Sequence, residues 1–295
     1  PPVRIRDNMQ LKPNAYLIKI KGIEIASGEL LLDNYLAIGP DIEHDNEVTG
    51  IDTLEPAFSL PARWIETADK DRAEMKGYTV VDPASVLATH LTAIIKSHAH
   101  ELLGRQEIQN IVNFIKEQNS AVVDELIPDL MSLGDLQRVL ANLLKEQVSI
   151  RDMITIMETL ADYSKLTKDV DVLTEYVRQA LKRQISKQYS GDKQTMSVLT
   201  IDPGLEEKLR ESIQHSEFGS YLALDPEIAQ PMIDRLSRQY EELSQRGITP
   251  IVICAPILRL YFKRLVERFI SNLVVLSYNE IDTNVNVEVI GMVAA

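Results

Sequence analysis

At 295 residues the chain has length for about two domains, and 45% hydrophobic with 25% charged residues is an ordinary globular composition able to bury a core. A formal charge of −13 excludes phosphate neutralisation as the main task, so no nucleic-acid partner is expected, and a single cysteine, Cys254 in the apolar run PIVICAP, excludes an internal disulfide framework and predicts a buried thiol in a reducing compartment. No run of 18 apolar residues is present, and a chain opening on Pro1 without a signal peptide reads as a soluble fragment or a processed chain.

The first third reads as strands broken by turns: Ala15 to Lys21, Glu24 to Ala26, Tyr35 to Ile38, Arg63 to Glu66 and Tyr78 to Val81, with Gly22, Gly28, Gly39 and Pro40 between them. The polar, acidic stretch Asp41 to Gly50 reads as an exposed loop, and a short helix from Ala68 to Met75 stops at Gly77.

The run Asp82 to Glu107 carries both ends of a helix. Asp82 suits the N-cap, Pro83 the first helical position, and Gly104 a left-handed stop, which predicts about 20 residues over roughly 30 Å. Leu87, Leu91, Ile94, Ile95, His98 and Leu102 fall on one broad stripe, with Val86, Thr89 and Ala93 on a smaller one nearly opposite. A helix with two contact faces joins two layers or two domains.

The middle third is helical. Leu133, Leu136, Leu140, Leu143 and Leu144 follow the cap-like Ser132 with Asp135; the same grammar recurs at Ser149 and Asp152, ahead of Ile150, Ile154, Met157 and Leu160. A third helix, Val170 to Gln188, turns Val172, Leu173, Tyr176, Val177, Ala180 and Leu181 inward. The last third returns to α/β: strand Met196 to Thr200, a helix from Pro203, a helix from Pro231 to Gln245 with Asp225-Pro226 as a preceding turn, strand Ile251 to Cys254, helix Ile257 to Ile270, and strands Leu273 to Leu276 and Asn284 to Ile290. No internal repeat is visible.

Chemistry is sparse. His98 and His100, two apart on a helix, point in different directions, so a core and a surface histidine explain them better than a metal pair; His44 and His215 lack companions. Neither G-x-x-x-x-G-K-[ST], G-x-G-x-x-G nor G-x-S-x-G occurs, and Ser132, Ser149 and Thr167 are helix caps rather than nucleophiles. No catalytic constellation, cofactor or metal is expected. Arg259, Lys263, Arg264 and Arg268 lie away from the stripe Leu258, Tyr261, Phe262, Leu265 and Phe269, as a solvated face or as a contact to an acidic neighbouring subunit. Phe58, between Pro56 and Pro61, reads from residue type alone as core.

Eight segments carry a resemblance: RIRDN (4–8), NAYLIKIKG (14–22), YLAIGP (35–40), EPAFSLPARWI (55–65), GRQE (104–107), VDELIP (123–128), SIRDMITIMETLADY (149–163) and VVLSYNEI (274–281). In order and over nearly the whole chain, these resemble the large cytoplasmic domain of the flagellar type III export-gate family, the FlhA family. The segment around GRQE favours the flagellar over the injectisome branch; a soluble α/β enzyme is the remaining alternative.

The resemblance implies an α/β multi-subdomain fold: a first α/β subdomain (1–33 plus 84–103), an inserted α/β subdomain (34–83), a helical subdomain (104–190) and a C-terminal α/β ring-building subdomain (191–295). It implies a non-catalytic docking platform for flagellar export chaperones with their substrates, a homononameric ring, export ATPase complex components as further partners, and attachment to a bacterial inner-membrane domain. It also reverses the reading of Phe58. The family's Asp-Pro-Ala-Phe motif and following Val and Thr positions line a hydrophobic dimple for chaperones, and here those positions are Glu55, Phe58, Val81, Val86 and Thr89.

Overall fold

The computed structural model describes residues 3–191, 194–216 and 219–294, in two compact units, 1–104 and 105–295. In the first unit, β1 (Ala15–Ile20) and β2 (Ile23–Glu29) form an antiparallel hairpin. Its two-residue turn has positive φ at Lys21 (50°) and Gly22 (86°), the backbone that matches strand twist and that glycine adopts freely. β3 (Asn34–Ile38), β4 (Ile51–Leu54), β5 (Pro61–Glu66) and β6 (Thr79–Val81) make a second antiparallel sheet, in the order β4-β5-β3-β6. The short helix α1 (Lys70–Met75) precedes β6. Leu30, Leu36, Ala62, Trp64 and Val86 form one small core; Ala37, Ile42, Val48, Ile65 and Ala73 form another.

The stretch Asp41 to Gly50 is therefore not a simple exposed loop. Ile42 and Val48 are fully buried, and Arg63 reaches back to donate to the carbonyls of Val48 (2.6 Å), Asp45 (2.6 Å) and Glu43 (3.1 Å). The strand β4 that follows had no sequence signal, because two of its four residues, Ile51 and Leu54, are exposed apolar ones.

Asp82 caps α2 (Pro83–Ser97) as its sequence requires, accepting the Ser85 N–H at 3.0 Å. The helix does not run on to Gly104. It breaks at His98, whose φ is −108° and whose Nδ1 lies 3.1 Å from the Ile94 carbonyl and 2.9 Å from Ser97 Oγ; α3 (Ala99–Leu102) follows as a separate turn. Gly104 has no left-handed backbone, so the predicted stop is absent. The broad stripe is also not the most buried face: Val86 and His90 are buried, whereas Ile95 is exposed and His98 is half-buried, as is His100.

The second unit begins with α4 (Arg105–Gln118) and α5 (Ser120–Leu126), then α6 (Leu133–Lys145), capped by Ser132, which accepts the Asp135 N–H at 3.1 Å. The next helix, α7 (Met153–Tyr163), starts three residues later than the Ser149 grammar predicts. Asp152 is its cap, accepting from Thr155 N–H at 3.2 Å. The predicted helix 170–188 is two, α8 (Val170–Ala180) and α9 (Lys182–Ser190), separated at Leu181. Thr174 and Arg178 occupy inward slots on α8, and Val172 is exposed.

β7 (Thr195–Ile201), α10 (Pro203–Glu211), the antiparallel pair β8 (Ile213–Ser216) and β9 (Gly219–Leu222), α11 (Pro226–Gln245), β10 (Ile251–Cys254), α12 (Pro256–Val266), β11 (Val274–Ser277) and β12 (Asn286–Val293) complete the unit. The order β11-β10-β7-β12 is parallel throughout, with apolar side chains such as Leu199, Val252, Phe262 and Val275 filling the core beside it. α11 begins at Pro226 under an Asp225 cap and carries Pro231 inside. Pro231 sits in the second turn, where one hydrogen bond is forgone without breaking the helix, so Pro226 opens the helix rather than a preceding turn.

Candidate docking site

Glu55 follows β4 and turns the chain. Its side chain is only 3% exposed, and both carboxylate oxygens are used: Oε1 accepts the Ala57 N–H at 3.0 Å and Oε2 the Phe58 N–H at 2.7 Å. Its main chain closes the same turn, donating to the Leu60 carbonyl at 2.8 Å and accepting the Ser59 N–H at 2.8 Å. Ser59 adopts φ 56°, an uncommon conformation for a residue with a Cβ. The turn holds Phe58 out, 66% exposed, which overturns the core reading taken from residue type alone.

Beneath this region Tyr16 Oη lies 2.6 Å from His90 Nδ1, the rings meeting edge to face at 5.7 Å. Burial, with the Glu55 charge second, pushes the Tyr16 hydroxyl up to about 12. Burial lowers the His90 pKa against the opposing pull of Glu55, so the imidazole is neutral at pH 7. Tyr16 can cross β2 only because its partner there is Gly28; a Cβ at that position would come 2.5 Å from the Tyr16 hydroxyl. A cavity of about 560 Å³ lies alongside, lined in part by Ser27, Gly28, Thr53, Leu54, Pro56, Trp64 and His90.

Of the other positions named from the sequence, Val81 is half-buried against the Leu36–Trp64 core, Val86 is 2% exposed within that core, and Thr89 is exposed on α2. Val86 therefore supports the wall from inside. Phe58 and Thr89 are the members of the set that face solvent.

The four basic residues do not form one face: Arg264 and Arg268 are exposed, Lys263 is half-buried, and Arg259 turns inward. Arg259 is fully buried and binds Glu175 through Nε (2.5 Å) and Nη2, and Glu146 through Nη1 (2.7 Å) and Nη2 (3.1 Å). Arg178 Nε donates to Glu280 at 2.5 Å, and the second Glu280 oxygen accepts the Ser277 N–H at 2.5 Å. Lys263 donates to the Leu273 carbonyl at 2.8 Å, and Arg264 pairs with Asp171 at 2.7 Å. Glu146 is half-buried, and loss of water alone raises a carboxyl pKa, yet the Arg178 and Arg259 charges hold it at about 2. Glu175 faces Arg259 with Glu280 nearby, and burial outweighs that single strong partner, raising its pKa. The cluster ties α6 and α8 to α12 and the end of β11 within the second unit. Sequence reading missed it because its partners lie as much as 113 residues apart.

Cys254 is buried and its thiol pKa is pushed up by burial. Among the described residues no group of three His, Cys, Asp or Glu side chains could hold a metal, and no helix is long and apolar enough to cross a membrane. The His215 side chain lies outside the described residues.

The model of the FHIPEP family matches residues 1–286. The chain belongs to the FHIPEP family. Among FHIPEP relatives, the flagellar biosynthesis protein FlhA of Bacillus subtilis is 52% identical over 293 residues, covering 99% of this chain and 43% of that protein. The chain thus spans less than half the length of that relative. The Chlamydia pneumoniae CdsV protein, whose structure is also known in complex with CdsO, superposes with a TM-score of 0.86 at 29% identity, covering 98% of this chain and 82% of that one. The nonameric SctV-C of EPEC gives 0.75 at 27% identity, covering 97% and 85%. The mixed α/β architecture is that of these structural neighbours.

Proposed function

We propose that this chain is the cytoplasmic docking platform of a flagellar type III export gate, which binds chaperone–substrate complexes and directs their cargo to a membrane channel. The observation that carries it is Phe58: a large aromatic side chain held out by a turn that Glu55 closes with four hydrogen bonds. A core residue would not be placed there, and an exposed aromatic on a rigid support is the kind of group that anchors a protein interface. Glu55, Phe58, Val81, Val86 and Thr89 together form the chaperone site, with Phe58 and Thr89 at its surface.

The 52% identity to a flagellar FlhA, against 29% and 27% for the secretion-system structures, supports the flagellar branch over the injectisome one. In this reading the chain is the cytoplasmic part of an inner-membrane protein and performs no catalysis. Each compact unit comprises two subdomains: 1–33 plus 84–103 with 34–83 inserted, then 104–190 with 191–295. The last of them builds a homononameric ring, as the nonameric SctV-C supports, and the CdsV complex with CdsO supports contact with further export components, the ATPase complex among them.

Titration of purified flagellar chaperone–cargo complexes into the protein tests the reading. Saturable micromolar binding is expected; no binding by complexes of several late cargoes would sink it.

A further inference from the structure

Glu55 sits in the proposed docking set, yet its charge faces inward. The side chain is 3% exposed, and its two oxygens are occupied by the Ala57 and Phe58 N–H groups at 3.0 and 2.7 Å. Each oxygen keeps a second lone pair, but with the residue 3% exposed neither is open to a partner from solvent. We propose that Glu55 is a positioning residue: it fixes the place of Phe58 and does not itself touch the docking partner. This rests on the reading of Phe58 as the docking anchor.

The physical case lies in what else could hold Phe58. The ring is 66% exposed and belongs to neither core cluster of the first unit, so packing does not fix it. Ser59, next along the chain, is in the left-handed region at φ 56°, a conformation that persists only when its surroundings impose it. The Glu55 main chain supplies two bonds, to Leu60 and from Ser59, which close the turn at its base. The tip, Ala57-Phe58, is held by the carboxylate alone among the bonds made there. Charge-assisted bonds from two successive N–H groups to one carboxylate are strong and directional. Their loss leaves two amides to water and lets the tip sample other conformations, so a partner must then order the loop on binding. The carboxylate thereby acts on affinity through pre-organisation.

A double-mutant cycle separates positioning from contact. Glu55→Ala is expected to weaken binding of a chaperone–cargo complex about tenfold in the wild-type background and less than about twofold when Phe58→Ala is already present. Equal losses in both backgrounds would mean that Glu55 meets the partner directly, and would overturn the proposal. Glu55→Asp keeps two acceptor oxygens and should restore most of the affinity, whereas Glu55→Gln, with one acceptor oxygen, should fall between.

Amide exchange on the protein alone gives a readout independent of any partner. Protection at the Ala57 and Phe58 amides should drop at least about tenfold in Glu55→Ala, with protection in β5 unchanged. Unchanged exchange at those two amides would refute the positioning role even if the docking reading stands. Faster exchange in a protein whose wild type binds no chaperone–cargo complex would retire the docking reading and leave Glu55 as the support of an exposed turn.

Discussion

Replacing Arg259 by methionine is the severest single change to the fold of the second unit. The substitution removes the guanidinium that pairs with both Glu146 and Glu175; Glu146 keeps Arg178 at 3.4 Å, while Glu175, with the fully buried Glu280 nearby, loses its ion-pair partner. Breaking a buried ion pair from one side costs about 3–5 kcal/mol, because an uncompensated charge stays behind. For a unit of this size that corresponds to a fall in Tm of roughly 6–20 °C. Arg264→Ala is the control: its bond to Asp171 is solvent-exposed and worth under about 1 kcal/mol.

Acid should probe the same cluster. Glu146 has a folded-state pKa lowered to about 2, so its contribution is fully present above the ordinary carboxyl range and is lost as pH falls from about 5 towards 2. A depression of that size corresponds to about 3 kcal/mol. Glu175, with a raised pKa, works in the opposite sense and offsets part of this loss as it protonates. Differential scanning calorimetry of wild type, Arg259→Met and Arg264→Ala between pH 7 and pH 3 checks both claims. An Arg259→Met protein that melts within 1–2 °C of wild type at pH 7, on the order of the exposed control, would refute the reasoning.

Val86→Ala should lower stability by about 2 kcal/mol through lost burial, while Thr89→Ala on the exposed face of α2 should stay within about 0.5 kcal/mol; urea denaturation distinguishes them. Cys254 is expected to resist thiol reagents in the native protein at pH 8 and to react on unfolding, since the thiol is buried and its pKa is raised. A fast native reaction measured spectrophotometrically would contradict its placement beside β11.

How much of this was legible in the sequence depended on whether the decisive contact was local. The strand β10 matches its predicted limits, Ile251 to Cys254, because a central parallel strand is buried on both faces and reads as an unbroken apolar run. The Asp82, Ser132 and Asp225 caps act over two or three residues, so their signature lies within a short window, although Asp225 was read as a turn. Arg178 was not legible: it occupies a core slot on α8 only because Glu280 waits 102 residues away. His98 looked like one more residue of an apolar stripe, and its bonds to Ile94 and Ser97 at the helix break depend on side-chain geometry. Family resemblance located Phe58 as a surface residue, where residue type alone placed it in the core. The reason it is outside, the double acceptance by Glu55, follows from an acceptor two and three residues before the amides it holds.

The central claim is that an exposed aromatic at Phe58 anchors a chaperone carrying late flagellar cargo. Isothermal titration of such a complex into wild type and Phe58→Ala, with thermal melts on the same samples, tests it most directly. The account predicts a loss of affinity of more than about tenfold, equivalent to about 2 kcal/mol, with a melt unchanged within about 2 °C, because the ring is exposed and holds nothing together. Wild-type affinity in the mutant would contradict the account, and so would a melt lowered in proportion to the lost binding, which would return Phe58 to the core.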